Sequence, residues 1–432
     1  MIWNEAKECM SRDEIANLQS ARLRKMVSRV YHNVEFYRKK MQELGIEPGD
    51  VKGIEDLSKL PFTTKEDLRE NYPFGLFAIP ESQVVRIHAS SGTTGSPTVV
   101  GYSRKDINIW QECVARVLAM AGVEPKDKIQ VSYGYGLFTG GLGLHYGAEN
   151  LGATVVPMSS GNTKKQIRMM RDLGCSAIAC TPSYLLHIAE VMEEEKVQND
   201  IKLKCAILGG EPWTDQMRDD IERKLHIKSH DIYGLCEVMG PGVAADCSYH
   251  QGLHVYEDHF IPEIINPNTL EACSEGEVGE LVFTTITKEA LPLFRYRTKD
   301  LTHISYEKCA CGRTLARIGR CMGRTDDMLV IRGVNVFPSQ VEAALLEMGE
   351  TSPHYLLIVD RKNNLDTLEV LVEVEDRFFS DEIRKLEDLT VKISKSLESA
   401  LGLVVKVKLV EPKTIERSEG KSKHVIDKRN LV

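Results

Sequence analysis

No stretch of the 432-residue sequence approaches the roughly 18 consecutive apolar residues that cross a bilayer, so a membrane-spanning helix is not expected. The first twenty residues mix acidic and basic groups and have no apolar signal core, which predicts a cytoplasmic protein. Positive charge is not in excess. Against 55 Lys and Arg stand 63 Asp and Glu, and the net charge of −8 argues against a nucleic-acid-binding surface. Internal repeats and low-complexity tracts are absent, which excludes solenoids and long disordered tails. What is present, 42% hydrophobic and 27% charged residues in a chain long enough for about two to four domains, describes an enzyme-sized globular protein.

Eleven cysteines, an odd number scattered through a long chain, do not read as a disulfide framework. Cys113, Cys175, Cys180 and Cys205 stand in apolar surroundings, where a reduced thiol fills space as a small core residue.

Apolar residues three and four apart from Arg12 to Met41, ended by Pro48-Gly49, predict a mainly helical region over residues 1–80. From residue 84, short apolar strands alternate with amphipathic helices. Strands are expected at Val84–Ile87, Lys128–Ser132, Ala153–Met158, Ala177–Cys180, Cys205–Leu208 and His230–Tyr233. Helices are expected at Lys105–Ala121, stopped by Gly122, at Thr163–Leu173, and from a Ser183 cap to Met192. That alternation predicts an α/β fold built on a mainly parallel sheet with helices on its faces. After about residue 245 helical periodicity fades, and a β-rich subdomain is expected over 245–318, with strands at Glu280–Thr285 and Leu301–Ile304. The Gly-, Arg- and Cys-rich segment Gly319–Gly323 marks a boundary between an N-terminal domain, 1–322, and a small α+β C-terminal domain, 323–432. The latter reads as helices at Ser339–Glu347 and Asp381–Leu401 and strands at Tyr355–Val359, Leu368–Val374 and Val404–Val410.

The loop Ser90-Ser91-Gly92-Thr93-Thr94-Gly95-Ser96-Pro97 follows a strand. Glycines let several amide N–H groups point at one centre and the hydroxyls add donors, which suits a polyphosphate. It is not a Walker A motif, because no Gly-Lys-Ser/Thr follows at the required spacing. Four later segments accompany it: Tyr233-Gly234-Leu235-Cys236-Glu237, Tyr296-Arg297-Thr298-Lys299-Asp300, Gly323-Arg324-Thr325-Asp326-Asp327 and Arg417-Ser418-Glu419-Gly420-Lys421. In this order and spacing they resemble the adenylate-forming superfamily of acyl-CoA synthetases, over essentially the whole chain. More narrowly, Leu60-Pro61-Phe62-Thr63-Thr64-Lys65-Glu66-Asp67-Leu68, the segment from Tyr133 to Gly141 and Gly333-Val334-Asn335-Val336-Phe337-Pro338-Ser339 resemble the phenylacetate–CoA ligase family.

The resemblance implies two half-reactions, a carboxylate attacking the α-phosphorus of ATP and coenzyme A then displacing AMP. It places Ser90, Ser91, Gly92, Thr93, Thr94 and Gly95 on the β- and γ-phosphates and Glu237 on Mg²⁺, a hard cation suited to carboxylate oxygen. Tyr233 and Gly234 are expected at the adenine, with Gly210, Glu211 and Pro212 lining its pocket. Cys236 stands where the family usually carries Thr or Ser, and a thiol is a weaker donor. Asp300 is expected to take the ribose hydroxyls and Arg324 to sit near ribose and phosphate. Asp326 matches the hinge about which the small domain reorients, and Gly333 the coenzyme A channel. Lys421 matches the adenylation lysine, with Lys423 as the alternative.

Tyr133, Tyr135 and Phe138 cluster in a glycine-rich segment and, with Ala148 and Pro241, are expected to wall an aryl-acid pocket. Cys309 and Cys311 form a Cys-x-Cys pair in a polar loop, and Cys247 and His254 lie in another, with His250 also available. Three thiolates and an imidazole make a closed tetrahedral set, the arrangement of structural zinc. Cys321 and His259 are further candidates. Two other readings stand beside the ligase: a zinc-ribbon-like nucleic-acid module, disfavoured by the acidic balance, and an adenylating enzyme that passes the acyl group to an acceptor other than coenzyme A. Homodimers are common in the family, and nothing in this sequence demands one.

Overall fold

The fold, a computed structural model, is described for residues 1–90, 97–326, 329–332, 334–348, 351, 354–362, 365–374, 383–417 and 424–429. It divides into two compact units, one of Met1–Cys180, Asn199–Gly210 and Ile227–Arg320, the other of Thr181–Gln198, Glu211–His226 and Cys321–Val432.

In the first unit, local signals set the helices. Ser11 and Glu14 close a reciprocal cap on the helix Arg12–Asn33, which buries Ile15, Leu23, Met26, Val27 and Val30 along one stripe. The helical run expected as far as Met41 breaks at Val34, whose extended backbone starts a second helix, Glu35–Glu43. A second reciprocal cap, Ser103 with Asp106, opens Arg104–Met120, and the buried face holds the Ile107, Trp110, Val114, Val117 and Leu118 read from the sequence.

One nine-stranded sheet forms the centre. Its parallel half runs Lys228–Leu235, Cys205–Gly209, Ala177–Cys180, Lys128–Val131 and Thr154–Pro157. Periodicity predicts that half only. The sheet continues with Gly240–Asp246, Leu253–Val255, Arg317–Ile318 and Ile304–Ser305, all antiparallel. The last three, of two or three residues each, carry no alternation long enough to recognise, and the seven-residue Gly240–Asp246 is dominated by Gly, Pro and Ala.

The strand Val84–Ser90 departs from expectation in a second way. It pairs antiparallel with Thr98–Ser103 in a separate two-stranded sheet, so the small-residue loop joins two strands rather than a strand and a helix. The strands Phe260–Ile265, Gly279–Thr285 and Tyr296–Thr302 pair antiparallel, as a β-rich region should. A single continuous core from Ile15 to Ile318 joins these layers. Each large aliphatic side chain within it contributes about 1.5–3 kcal/mol by burial.

The second unit has its own core, from Leu329 to Val407. A four-stranded sheet in the order Lys406–Val410, Leu365–Glu373, Tyr355–Lys362, Val425–Asp427 carries the helices Pro338–Glu347 and Ile383–Leu401. The helices Pro182–Glu195 and Asp215–Leu225 belong to this unit too. Thr181, not Ser183, is the N-cap of the first of these, with Pro182 opening the helix, and the Ser183 N–H donates to the Glu211 carboxylate at 2.8 Å. Among the described residues, no helix is long and apolar enough to cross a membrane.

Candidate functional site

Two segments far apart in the chain meet at Glu237. The strand Lys228–Leu235 gives way to the turn 236–239, on which Glu237 is only 5% exposed. Its Oε1 accepts the Ser90 hydroxyl at 3.0 Å, and Ser90 ends the strand that leads into the small-residue loop. The expected magnesium carboxylate thus stands at the root of the expected phosphate loop. Ser91, Gly92, Thr93, Thr94 and Gly95 lie outside the described residues.

The turn is held from behind by side chains the sequence reading passes over. The Tyr102 hydroxyl donates to the carbonyls of Met239 at 2.8 Å and Cys236 at 3.3 Å. The Lys288 ammonium donates to the Glu237 carbonyl at 2.9 Å. Burial pulls that ammonium down to about 8, while the charges of Asp106 and Glu237 work the other way. Cys236 Sγ and Thr139 Oγ1 are 3.1 Å apart, so a hydroxyl stands beside the thiol. Thr139 lies inside the glycine-rich segment already singled out, a signal that could have found it; a lone lysine among Glu and Ala offers none.

Tyr233 and Asp300 also come together. The Tyr233 hydroxyl donates to Asp300 Oδ2 at 2.5 Å. Asp300 is aimed by an irregularity of its own strand: pairing with Gly279–Thr285 shifts register between Glu280 and Val282, and Lys299 takes a positive φ of 69°. A Cβ on Gly234 would lie 1.9 Å from the Gly240 carbonyl oxygen, so the neighbouring strand itself requires a glycine there. Gly210 turns the chain out of Cys205–Gly209 with φ +86°, a conformation that glycine adopts without strain. Glu211 and Pro212 fall in the second unit, where the Glu211 carboxylate caps a helix and Pro212 is exposed.

Of the residues expected around an aryl acid, Tyr133 is the most firmly placed. Its hydroxyl donates to the carbonyls of Cys180 at 2.6 Å and Gly209 at 3.0 Å, tying the ends of two parallel strands. Tyr135 Oη is 3.2 Å from His145 Nδ1, and burial pushes its phenol upward. The Pro241 carbonyl accepts from Trp110 Nε1 at 2.9 Å. Phe138 is 53% exposed, whereas Ala148 is buried in the core.

In the second unit, Arg324 pairs with both oxygens of Asp326, at 2.8 and 2.9 Å. Arg417, which opens the terminal motif, makes a double hydrogen bond with the buried Glu373 at 2.8 and 2.7 Å. Gly333, Lys421 and Lys423 lie outside the described residues.

A separate cluster gathers Cys247, His254, Cys309 and Cys311, whose ligand atoms all lie within 4.8 Å of one another. Cys247 Sγ and Cys309 Sγ are 3.7 Å apart, and Cys311 Sγ is 3.5 Å from His254 Nε2. Tetrahedral zinc with ordinary Zn–S and Zn–N bonds demands edges of about 3.8 Å between sulfurs and about 3.5 Å from sulfur to nitrogen. The spacing fits. Hydrogen bonds from Cys247 and His254 hold the Cys311 thiol well below its usual range. Burial is the largest influence on Cys309 and opposes its ionisation, but the hydrogen bonds from His254 and the Cys311 backbone, together with the His254 charge, bring the thiol below its usual range. His250 stays outside the cluster, its Nδ1 2.8 Å from Asp246. His259 faces Asp258 at 3.0 Å, and Cys321, in the second unit, donates to the Gly323 carbonyl.

Comparison with known proteins finds relatives along the whole chain. Residues 23–287 match the AMP-binding enzyme family and residues 333–429 the AMP-binding enzyme C-terminal domain. A phenylacetate–coenzyme A ligase of Thermus thermophilus is 48% identical, the match covering 99% of this chain and 100% of that protein. One from Escherichia coli is 50% identical over 98% of this chain and 97% of its own. The crystal structure of a 2-hydroxyisobutyryl-CoA ligase in the post-adenylation state, bound to R3-HIB-AMP, superposes with a TM-score of 0.93 at 29% identity, covering 99% of this chain and 92% of that one. With the family model matched over more than half of its length and relatives matched end to end, this chain belongs to the phenylacetate–coenzyme A ligase family of adenylate-forming, AMP-binding enzymes.

Proposed function

We propose that this protein joins phenylacetate, or a close aryl-acetic acid, to coenzyme A at the expense of ATP, through an acyl-adenylate, releasing AMP and pyrophosphate. The observation that carries the reading is the Ser90–Glu237 hydrogen bond, which brings the Glu237 carboxylate to the start of the Ser/Gly/Thr-rich loop. Glu237 holds Mg²⁺, which supplies positive charge to the phosphates. The loop amides and hydroxyls from Ser90 to Gly95 grip the β- and γ-phosphates, so the chain's task is to place donors before charge develops.

Asp300 already accepts one hydrogen bond, from Tyr233, and a carboxylate has about four lone-pair sites, which leaves capacity for both ribose hydroxyls. Tyr233, its ring fixed by that bond, offers a face to adenine, beside Gly234 and Gly210. Cys236 and Thr139 together face the α-phosphate, with the hydroxyl as the stronger donor. Lys421 bridges the carboxylate and the α-phosphate in the first step. Residues 323–432 then reorient about Asp326, near Arg324, and bring Gly333 to the coenzyme A channel for the second. Tyr133, Tyr135, Phe138, Ala148 and Pro241 surround the acid, and Glu211 and Pro212 lie by the nucleotide.

Cys247, His254, Cys309 and Cys311 hold a structural zinc, since four protein ligands leave no open position for chemistry. None of the eleven cysteines is joined in a disulfide, which suits the reducing cytoplasm where ATP and coenzyme A are available.

The test is coenzyme-A-dependent AMP release measured over phenylacetate, hydroxyphenylacetate, indoleacetate, benzoate and 2-hydroxyisobutyrate. The reading expects AMP and thioester in equal amounts, with phenylacetate or another aryl-acetic acid used best. Aryl-acid-dependent AMP release without thioester would assign a different acyl acceptor. No release with any acid contradicts the reading.

A further inference from the structure

Lys288 is fully buried, a rare state for a lysine without a charged partner. Among the described residues, no carboxylate lies within ion-pair distance of its ammonium. What the ammonium does contact is specific: the Glu237 carbonyl at 2.9 Å, and the face of the Tyr102 ring at 4.7 Å. Tyr102 in turn bonds the carbonyls on either side, those of Cys236 and Met239. Three of the four carbonyls of the turn 236–239 are therefore fixed by this stacked pair.

The segment that carries Lys288 is itself anchored. The Asp106 carboxylate, at the capped start of Arg104–Met120, accepts the N–H groups of Glu289 at 2.7 Å and Ala290 at 3.0 Å. The lysine is thus delivered by a rigid support rather than by a mobile loop. Glu237 is consequently held at both ends, its carboxylate by Ser90 and its backbone by Lys288. An apolar side chain would fill the same space without desolvating a charge. The costly ammonium sits under the residue whose carboxylate the proposed function assigns to magnesium.

We infer that Lys288 is a positioning residue for the magnesium-binding carboxylate of Glu237 in the adenylation half-reaction. The inference rests on the proposed function, because it takes Glu237 as the magnesium ligand. Magnesium demands near-ideal octahedral geometry, and loss of a partner that orients a ligand typically weakens metal binding by about 10- to 100-fold.

The experiment compares full-length wild type with K288M and K288R in two assays. The first is the magnesium concentration giving half-maximal aryl-acid-dependent ATP–pyrophosphate exchange. The second is thioester formation from supplied phenylacetyl-adenylate and coenzyme A. For K288M the magnesium requirement should rise by about tenfold or more, with the thioester step held within about twofold. K288R, which keeps charge and donors, should show a smaller rise, about threefold, and it reads the same quantity should K288M not fold. An unchanged magnesium requirement in the folded variants, or an equal fall in both half-reactions, overturns the inference. Wild-type protein that catalyses neither half-reaction overturns the functional reading first, and this inference with it.

Discussion

The thiol of Cys236 stands where the sequence resemblance leads one to expect a hydroxyl, which raises the question of what donates there instead. Thr139 Oγ1, 3.1 Å from the sulfur, is the neighbour able to supply it, and at 5% exposure it is held in place. A buried hydrogen bond to a charged group contributes about 1.5–3 kcal/mol, roughly a tenfold or larger effect on rate. T139V should therefore slow pyrophosphate exchange by about tenfold or more, whereas C236A should change it by less than about threefold. The reverse ranking would assign the contact to the thiol. At this scale the sequence draws attention to a polar side chain that stands beside glycines, as Tyr233 and Glu237 do, and to Asp300 by its place in the run Tyr296-Arg297-Thr298-Lys299-Asp300. It was opaque where an ordinary residue acts from behind: nothing in Thr287-Lys288-Glu289-Ala290 distinguishes Lys288 from a solvated surface lysine.

Elements read unevenly for a physical reason. Parallel strands buried on both faces are short continuous apolar runs between clear helices, and Ala177–Cys180 and Cys205–Gly209 were visible as such. The antiparallel continuation, Gly240–Asp246 onward, is built from small residues whose pairing depends on the partner strand, as the near contact of Gly234 with Gly240 shows. The helix Arg104–Met120 carries a consequence of its own. Its Arg116 is buried between Glu112 and Asp258, with His259 adjoining. Burial alone would raise the Glu112 carboxyl, but the hydrogen bond with His259 and the Arg116 guanidinium outweigh it and bring it down to about 2. A folded-state value below the ordinary 4.5 stabilises the protein above about pH 4.5, and that contribution fades as pH falls toward 2. Urea midpoints taken between pH 6 and 3 should drop for wild type and flatten for E112Q; parallel slopes would remove Glu112 from the account.

The loops bearing Cys247–His254 and Cys309–Cys311 form another element-scale device. Gently purified protein should carry about one zinc per chain, and C309S should lower the Tm by about 5 °C or more while leaving the KM for ATP within about twofold. Zinc below about a tenth of an equivalent, with an unchanged Tm in the variant, would leave the cluster as reduced thiols.

Across the whole molecule, the residues proposed for the reaction fall in two units. Ser90, Tyr233, Glu237 and Asp300 belong to the first, and Arg324 and Asp326 to the second. Chain order alone hides that Pro182–Glu195 and Asp215–Leu225 belong with the C-terminal residues, since each follows a strand of the central sheet. The separation of roles predicts that K421A abolishes pyrophosphate exchange but spares thioester formation from supplied acyl-adenylate, with K423A close to wild type in both. Equal loss of both steps in K421A would deny the division.

The most direct measurement follows oxygen. Phenylacetate labelled with ¹⁸O in its carboxylate is converted with ATP, magnesium and coenzyme A, and the products are weighed by mass spectrometry. Attack of the carboxylate on the α-phosphorus predicts one labelled oxygen in each AMP formed. Unlabelled AMP, or label recovered in inorganic phosphate, would contradict an adenylate and with it the account given for Glu237, Ser90 and Lys288.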